Sequence, residues 1–199
     1  FTQVDMELSF VGQEEILQHL EETFCYLMKE MKGIDLPRPF RRMTWQEAMD
    51  CYGSDKPDLR FDLPIVDITE LAGACGFTVF RSAVEQGGVV RAINVKGKAD
   101  FTRSEIEELT KKALSLGAKG MAWIALRPDG EIYSVLTKYF DEAQMQQLLK
   151  QVQAKPGDFI LFCADKLSTV RRTLGGLRLE IAALLGLCNE EDYQFLIVT

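Results

Sequence analysis

The chain has 199 residues, 47% of them hydrophobic and 27% charged, with a formal net charge of −7, a composition that folds and excludes a disordered chain. No apolar run approaches the ~20 residues of a membrane span, and the acidity excludes a protein that wraps nucleic acid nonspecifically by neutralising its phosphates. Five cysteines, Cys25, Cys51, Cys75, Cys163 and Cys188, are odd in number and lack a CxxC; most of them read as buried thiols of a cytoplasmic protein, and they argue against a disulfide framework or a zinc ribbon.

Residues 2 to 10 alternate strictly, with Val4, Met6, Leu8 and Phe10 on one side and Gln3, Asp5, Glu7 and Ser9 on the other, the period of a strand with one face in a core. Gln13 to Lys32 reads as an amphipathic helix with Ile16, Leu17, Leu20, Phe24, Leu27, Met28 and Met31 on its stripe and Gly33 as its stop. His19, the only histidine, rules out a multi-histidine metal site. Residues 34 to 42 form a Pro/Arg loop, Thr44 to Cys51 a short helix with Thr44 and Glu47 as a capping box, and Tyr52 to Arg60, YGSDKPDLR, an ordered surface loop.

A second unit begins after Leu71 to Gly76 and reads β-β-α-β-β-α. Phe77 to Arg81 and Val89 to Val95 are predicted strands, and Thr102 to Leu116 a helix capped by Thr102 with Glu105. Met121 to Leu126 and Glu131 to Leu136 are strands across the Pro128, Asp129, Gly130 turn, and Asp141 to Val152 a helix. The fold class is α+β, with helices on one face of an antiparallel sheet. Lys155 to Asp158 marks a boundary, followed by a buried strand, Phe159 to Ala164, and a helix, Ser168 to Leu185. The domains are therefore 1–67, 68–155 and 156–199. Phe1 opens the chain without a Met and Phe195 to Thr199 closes it on a strand-like run, so both ends read as cuts through a larger protein.

Residues 1 to 36 hold eight Asp/Glu and two Lys, whereas Arg38, Arg41, Arg42 and Arg171, Arg172, Arg178 form small basic clusters; any nucleic-acid contact is local. There is no GxGxxG, Walker loop, GxSxG or HExxH. Two segments can carry chemistry. The face Gln3, Asp5, Glu7 is either a solvent face or a set of oxygens for an ammonium group or Mg²⁺. The SDKPDLR loop, with Ser54, Asp55, Lys56, Asp58 and Arg60 around Pro57, is either a self-paired surface loop or a stiff element that recognises a phosphate.

These residues bear a family resemblance. FTQVDMELSF resembles the second half of motif 2 in bacterial aspartyl-tRNA synthetases, and EAM...YGSDKPDLRF, GAKGMAW, GDFILFCAD and LGGLRLEIA are similar to that family in the same order, from Phe1 to about Val198. The resemblance implies an internal stretch of a class II synthetase: a catalytic-domain segment, then a GAD insertion domain, then a return to the catalytic domain. It implies that Gln3 and Asp5 line the aspartate pocket, with Asp5 accepting from the substrate ammonium, and that Glu7 lies on the ATP side. Ser54, Asp55, Lys56, Asp58 and Arg60 would stand at the rim of the active site or by the tRNA acceptor end. The parent would use ATP and Mg²⁺ to charge tRNA for aspartate, alone or together with tRNA for asparagine, as a homodimer. With the ATP-binding arginines of motifs 2 and 3 outside this stretch, the fragment alone is expected to be inactive and to hold no metal. The rival reading is a stand-alone GAD-type module that binds tRNA or protein without catalysis.

Overall fold

A computed structural model describes residues 1–199. The chain forms two units, one of Phe1–Met43 with Phe195–Ile197 and Thr199, the other of Thr44–Gln194 with Val198.

In the first unit, α1 (Gln13–Lys32) has the predicted bounds and ends on Gly33 at φ +71°, where the Gly33 N–H returns to the Lys29 carbonyl at 2.9 Å. Its apolar stripe remains largely open, with Phe24 44% and Met31 78% exposed, while Glu21 is its buried residue, 2.9 Å from the Arg42 guanidinium. Phe195 packs beside Phe24 and Phe40, ring centroids 5.7 and 5.3 Å away, and β1 (Arg41–Met43) pairs with β7 (Leu196–Val198). Residues 2–10 are not a strand. Alternation supplies only one apolar face; a strand also needs a neighbour for its backbone groups and a layer for that face. Neither sheet of the fold includes this segment, and Val4 is 87% exposed.

The second unit is built on a five-stranded antiparallel sheet in the order β2-β3-β6-β4-β5. Its strands are β2 (Ile65–Asp67), β3 (Val89–Val95), β4 (Ala122–Leu126), β5 (Ile132–Tyr133) and β6 (Phe159–Asp165). The helices are α2 (Trp45–Tyr52), α3 (Thr69–Ala74), α4 (Thr78–Glu85), α5 (Arg103–Ser115), α6 (Glu142–Gln151) and α7 (Leu167–Leu184). The α+β class stands, but the layering expected from periodicity does not. On one face Ile93, Val95, Phe159, Leu161 and Cys163 pack with Leu109, Val170, Leu174 and Leu177; on the other Val90, Ala92, Ile160 and Phe162 pack with Leu71, Phe80, Met145 and Leu148. Helices thus cover both faces, and three layers replace two. A strand buried on both sides reads as a continuous apolar run, which is how FILFCAD reads.

Two expected strands change. Phe77 to Arg81 is the start of helix α4; so short an apolar segment also fits a helix, in which Phe77 and Phe80 share a side, with ring centroids 4.9 Å apart and Phe80 5.9 Å from Phe162. The predicted strand 131–136 stops at Ser134, whose Oγ donates to the Trp123 carbonyl at 2.6 Å and accepts the Leu136 N–H, starting a 3₁₀ turn at Val135–Lys138. Lys155 to Asp158 lies within the second unit. It is a turn held by the Asp158 carboxylate, which accepts from Gly97 N–H, Lys155 N–H and the Asn94 amide at 2.9, 2.9 and 3.0 Å. The strand after it, β6, is the centre of the sheet, so the divisions 1–67, 68–155 and 156–199 do not coincide with the two units. The predicted caps did follow the sequence, Thr102 with Glu105 on α5 and the Thr44 hydroxyl accepting the Glu47 N–H at 3.1 Å on α2, and Asp141 caps α6 as well. No helix is long and apolar enough to cross a membrane.

Candidate functional site

Gln3, Asp5 and Glu7 lie on the exposed segment that precedes α1. No group of three or more His, Cys, Asp or Glu side chains lies together to hold a metal ion. His19 is an exposed helix residue 3.8 Å from Glu22.

The SDKPDLR loop is built differently. Helix α2 closes on Gly53, φ +71°, and a Cβ there would run into the Arg171 carbonyl and lie 2.8 Å from the Gly175 Cα. A Cβ on Gly175 would in turn sit 3.0 Å from the Gly53 and Tyr52 carbonyl oxygens. The glycines of YGSDKPDLR and LGGLRLEIA are therefore needed for the same close approach of loop to helix. The Ser54 hydroxyl accepts the Lys56 N–H at 3.0 Å, and Pro57 is buried while Asp55 and Lys56 are exposed. Asp58 and Arg60 pair with each other. The Arg60 Nε and Nη2 reach the Asp58 carboxylate at 3.0 and 2.8 Å, and the Arg60 N–H adds a third donor at 3.0 Å. The Arg60 hydrogen bond holds the Asp58 carboxyl below the usual carboxylate range, against the opposing effect of burial. Of the loop's four charges, two are spent on each other and two face solvent.

Two arginines from the expected basic cluster are interior. Arg178, 1% exposed, donates through Nε to the Leu63 carbonyl at 3.0 Å and through Nη2 to the carbonyls of Phe61 and Asp58. Its guanidinium carbon lies 4.1 Å from the Phe61 ring centroid and 4.8 Å from that of Tyr52. Arg171 donates through Nη2 to Asp50 at 2.7 Å, and Arg91 lies 2.7 Å from the same Asp50 oxygen and 3.1 Å from Asp67. Burial raises the Asp50 carboxyl, but hydrogen bonds from Arg171, Gln46 and Arg91 outweigh it and hold the pKa at about 2. Arg172, the third member, is exposed and donates Nε to the Leu116 carbonyl at 2.7 Å. The three arginines are therefore not one basic patch: Arg171 is ion-paired to Asp50, while Arg172 and Arg178 donate to main-chain carbonyls. Sequence reasoning missed that role; its one signal was an arginine at a stripe position of α7, between Leu174, Leu177 and Ile181.

Two clefts open on this unit. One of about 470 Å³ is lined by Trp45, Ser54, Ser168 and Arg172 among others, beside the start of the loop. A larger one of about 690 Å³ has Phe77, Val79, Met121 and Val135 in its walls with Lys119 and Lys166.

A family model described as the GAD domain matches residues 80–174. Over its whole length the chain is 47% identical to the aspartate–tRNA(Asp/Asn) ligase of Moorella thermoacetica. It is 46% identical, again end to end, to the aspartate–tRNA ligases of Agathobacter rectalis and Lysinibacillus sphaericus. The chain spans about a third of the length of these relatives, 33%, 33% and 34% respectively.

Proposed function

We propose, from identity of 46–47% that covers the chain from end to end along a third of bacterial aspartate–tRNA ligases, that this chain is a stretch of such an enzyme with its GAD domain at residues 80–174. The complete protein activates aspartate with ATP, supplied as its Mg²⁺ complex: the aspartate carboxylate attacks the α-phosphorus, pyrophosphate leaves, and the 3′-terminal adenosine of tRNA then takes the aspartyl group as AMP departs. Little proton transfer by side chains is called for, and the rate comes from placing reactants and stabilising charge.

Asp5 pairs with the substrate ammonium, Gln3 lines the aspartate pocket and Glu7 lies on the ATP side. Their places in FTQVDMELSF, the stretch that resembles the second half of motif 2, support this. Ser54 and Lys56 serve the tRNA acceptor end at the rim of the site, while Asp58 and Arg60 hold the loop that carries them. That the relatives bear both aspartate–tRNA and aspartate–tRNA(Asp/Asn) names supports tRNA for aspartate as the partner, with tRNA for asparagine as a second substrate in the broader case. The complete enzyme works as a homodimer in the cytoplasm.

Asp5→Asn in the complete enzyme is the test. It keeps the shape and removes the charge, and a lost charge-assisted hydrogen bond costs roughly 1.5 to 3 kcal/mol. Aspartate-dependent ATP/pyrophosphate exchange at subsaturating aspartate should fall about tenfold or more, with the KM for ATP changed less. An unaltered exchange rate would return Asp5 to a solvent-facing role.

A second reading, in which the sheet unit binds tRNA or protein without catalysis, draws on its self-contained core and its 690 Å³ cleft. A complete protein that binds tRNA but shows no exchange would favour it.

A further inference from the structure

Arg178 is a charged residue at a core position of α7. A leucine or methionine there would fill the space without desolvating a charge, and burying a guanidinium is unfavourable unless its donors are met. No carboxylate lies within ion-pairing distance of it among the salt bridges of this unit. Its donors go instead to three main-chain carbonyls, of Asp58, Phe61 and Leu63, and its faces to Phe61 and Tyr52. A planar fork can satisfy several carbonyls only in one arrangement of the backbone that presents them.

The positions of those carbonyls matter. Asp58 to Leu63 is the chain leading into the first strand of the sheet, β2, and α7 is the helix that follows its last, β6. Arg178 therefore ties the way into the sheet to the way out of it. About one turn earlier on α7, Gly175 lies against Gly53. The loop is pinned at Gly53 and again from Asp58 to Leu63, and the short stretch between them carries its two exposed charges, Asp55 and Lys56.

We propose that Arg178 is a positioning residue that clasps the SDKPDLR loop to α7 and so fixes where Lys56 is presented to tRNA. The second half rests on the function proposed above; the first does not.

The test uses Arg178→Met and Arg178→Lys in the complete enzyme. Methionine keeps the apolar bulk and lysine the charge, but neither can span three carbonyls. Amide hydrogen exchange over residues 54–63 should quicken about tenfold in both, with the strands β3 and β6 protected as before. The KM for tRNA should rise about threefold to tenfold, while aspartate-dependent exchange stays within about twofold. Unchanged protection of 54–63, or full rescue by lysine, would overturn the clasp. If Arg178→Met gives no soluble protein, Arg178→Lys alone carries the same readouts. Lys56→Ala run in parallel separates the two claims: faster amide exchange in the Arg178 variants with a normal tRNA KM for Lys56→Ala keeps the clasp and removes its tRNA role.

Discussion

The two units meet the same physical demand in opposite ways. In the sheet unit, Phe159, Ile160 and Leu161 are fully buried between two layers of helices. In the first unit, Val4, Phe10, Phe24 and Met31 are exposed, though their spacing along strand-like and helical stretches is just as regular. Amphipathic pattern creates a face but not what covers it. The difference teaches that the stability of this chain resides in the sheet unit, while the residues proposed to hold aspartate stand on the unit with uncovered apolar faces.

Core truncation gives the largest effect and the most direct way to break that comparison. Phe162, buried in the sheet centre against Phe80, should cost about 3–5 kcal/mol when changed to Ala. Val4→Ala removes apolar atoms from an exposed site and should stay within about 0.5 kcal/mol. Urea unfolding of the 199-residue chain measures both. A comparable loss from Val4→Ala would mean that the first unit shares the fold's stability after all.

Charge sharpens the same contrast. Asp50 joins Arg171 and Arg91, so Asp50→Asn should cost about 1.5–3 kcal/mol, the range for hydrogen bonds to charged groups, less than for a fully buried pair because this carboxylate keeps some solvent. The folded pKa of about 2 lies below the usual 3.8. A carboxyl depressed on folding stabilises above its unfolded pKa and loses that contribution as pH falls through the folded one. The wild-type chain should therefore lose stability between about pH 4 and pH 2, and Asp50→Asn should flatten that part of the curve. In the first unit Glu22 is also lowered, by Gln18 and Arg38, but on an exposed helix surface; Glu22→Gln should leave urea midpoints unchanged.

Legibility followed locality. Helix α1, the capping residues Thr44 and Thr102, and the strands β3, β4 and β6 could be read because their signals sit within one turn or one strand. The layering could not. That VVRAINV and FILFCAD are covered on both sides depends on α3, α4 and α6 lying opposite α5 and α7, which no local period records. Phe77 to Arg81 differs because so short an apolar segment, with Phe77, Val79 and Phe80, fits a helix as well as a strand. The loop residues of the candidate site were found by their density of charge and their likeness to a known motif, whereas Arg178 was read as part of a basic cluster. Its partners are carbonyls more than a hundred residues away in sequence, and carbonyls leave no mark on composition.

The smallest expected effect on stability separates two charges of one loop. Arg60 is tied to Asp58 by side-chain and backbone hydrogen bonds, so Arg60→Ala strips a partly buried carboxylate of its partner and should lower the melting temperature. Activation and tRNA charging should then decline together, as they do whenever a fold loosens. Lys56 is exposed three residues before Leu59, and its removal should leave melting unchanged. If its ammonium meets a tRNA phosphate, Lys56→Ala should weaken tRNA binding and lower the log-log salt slope by about 0.7–0.9. Aspartate-dependent exchange, which needs no tRNA, should survive in that variant. Binding measured across a salt series, beside exchange and aminoacylation on both variants, decides it. An unchanged slope for Lys56→Ala, or equal losses in the two assays, would leave the loop as a structural joint whose charges serve only to hold it closed.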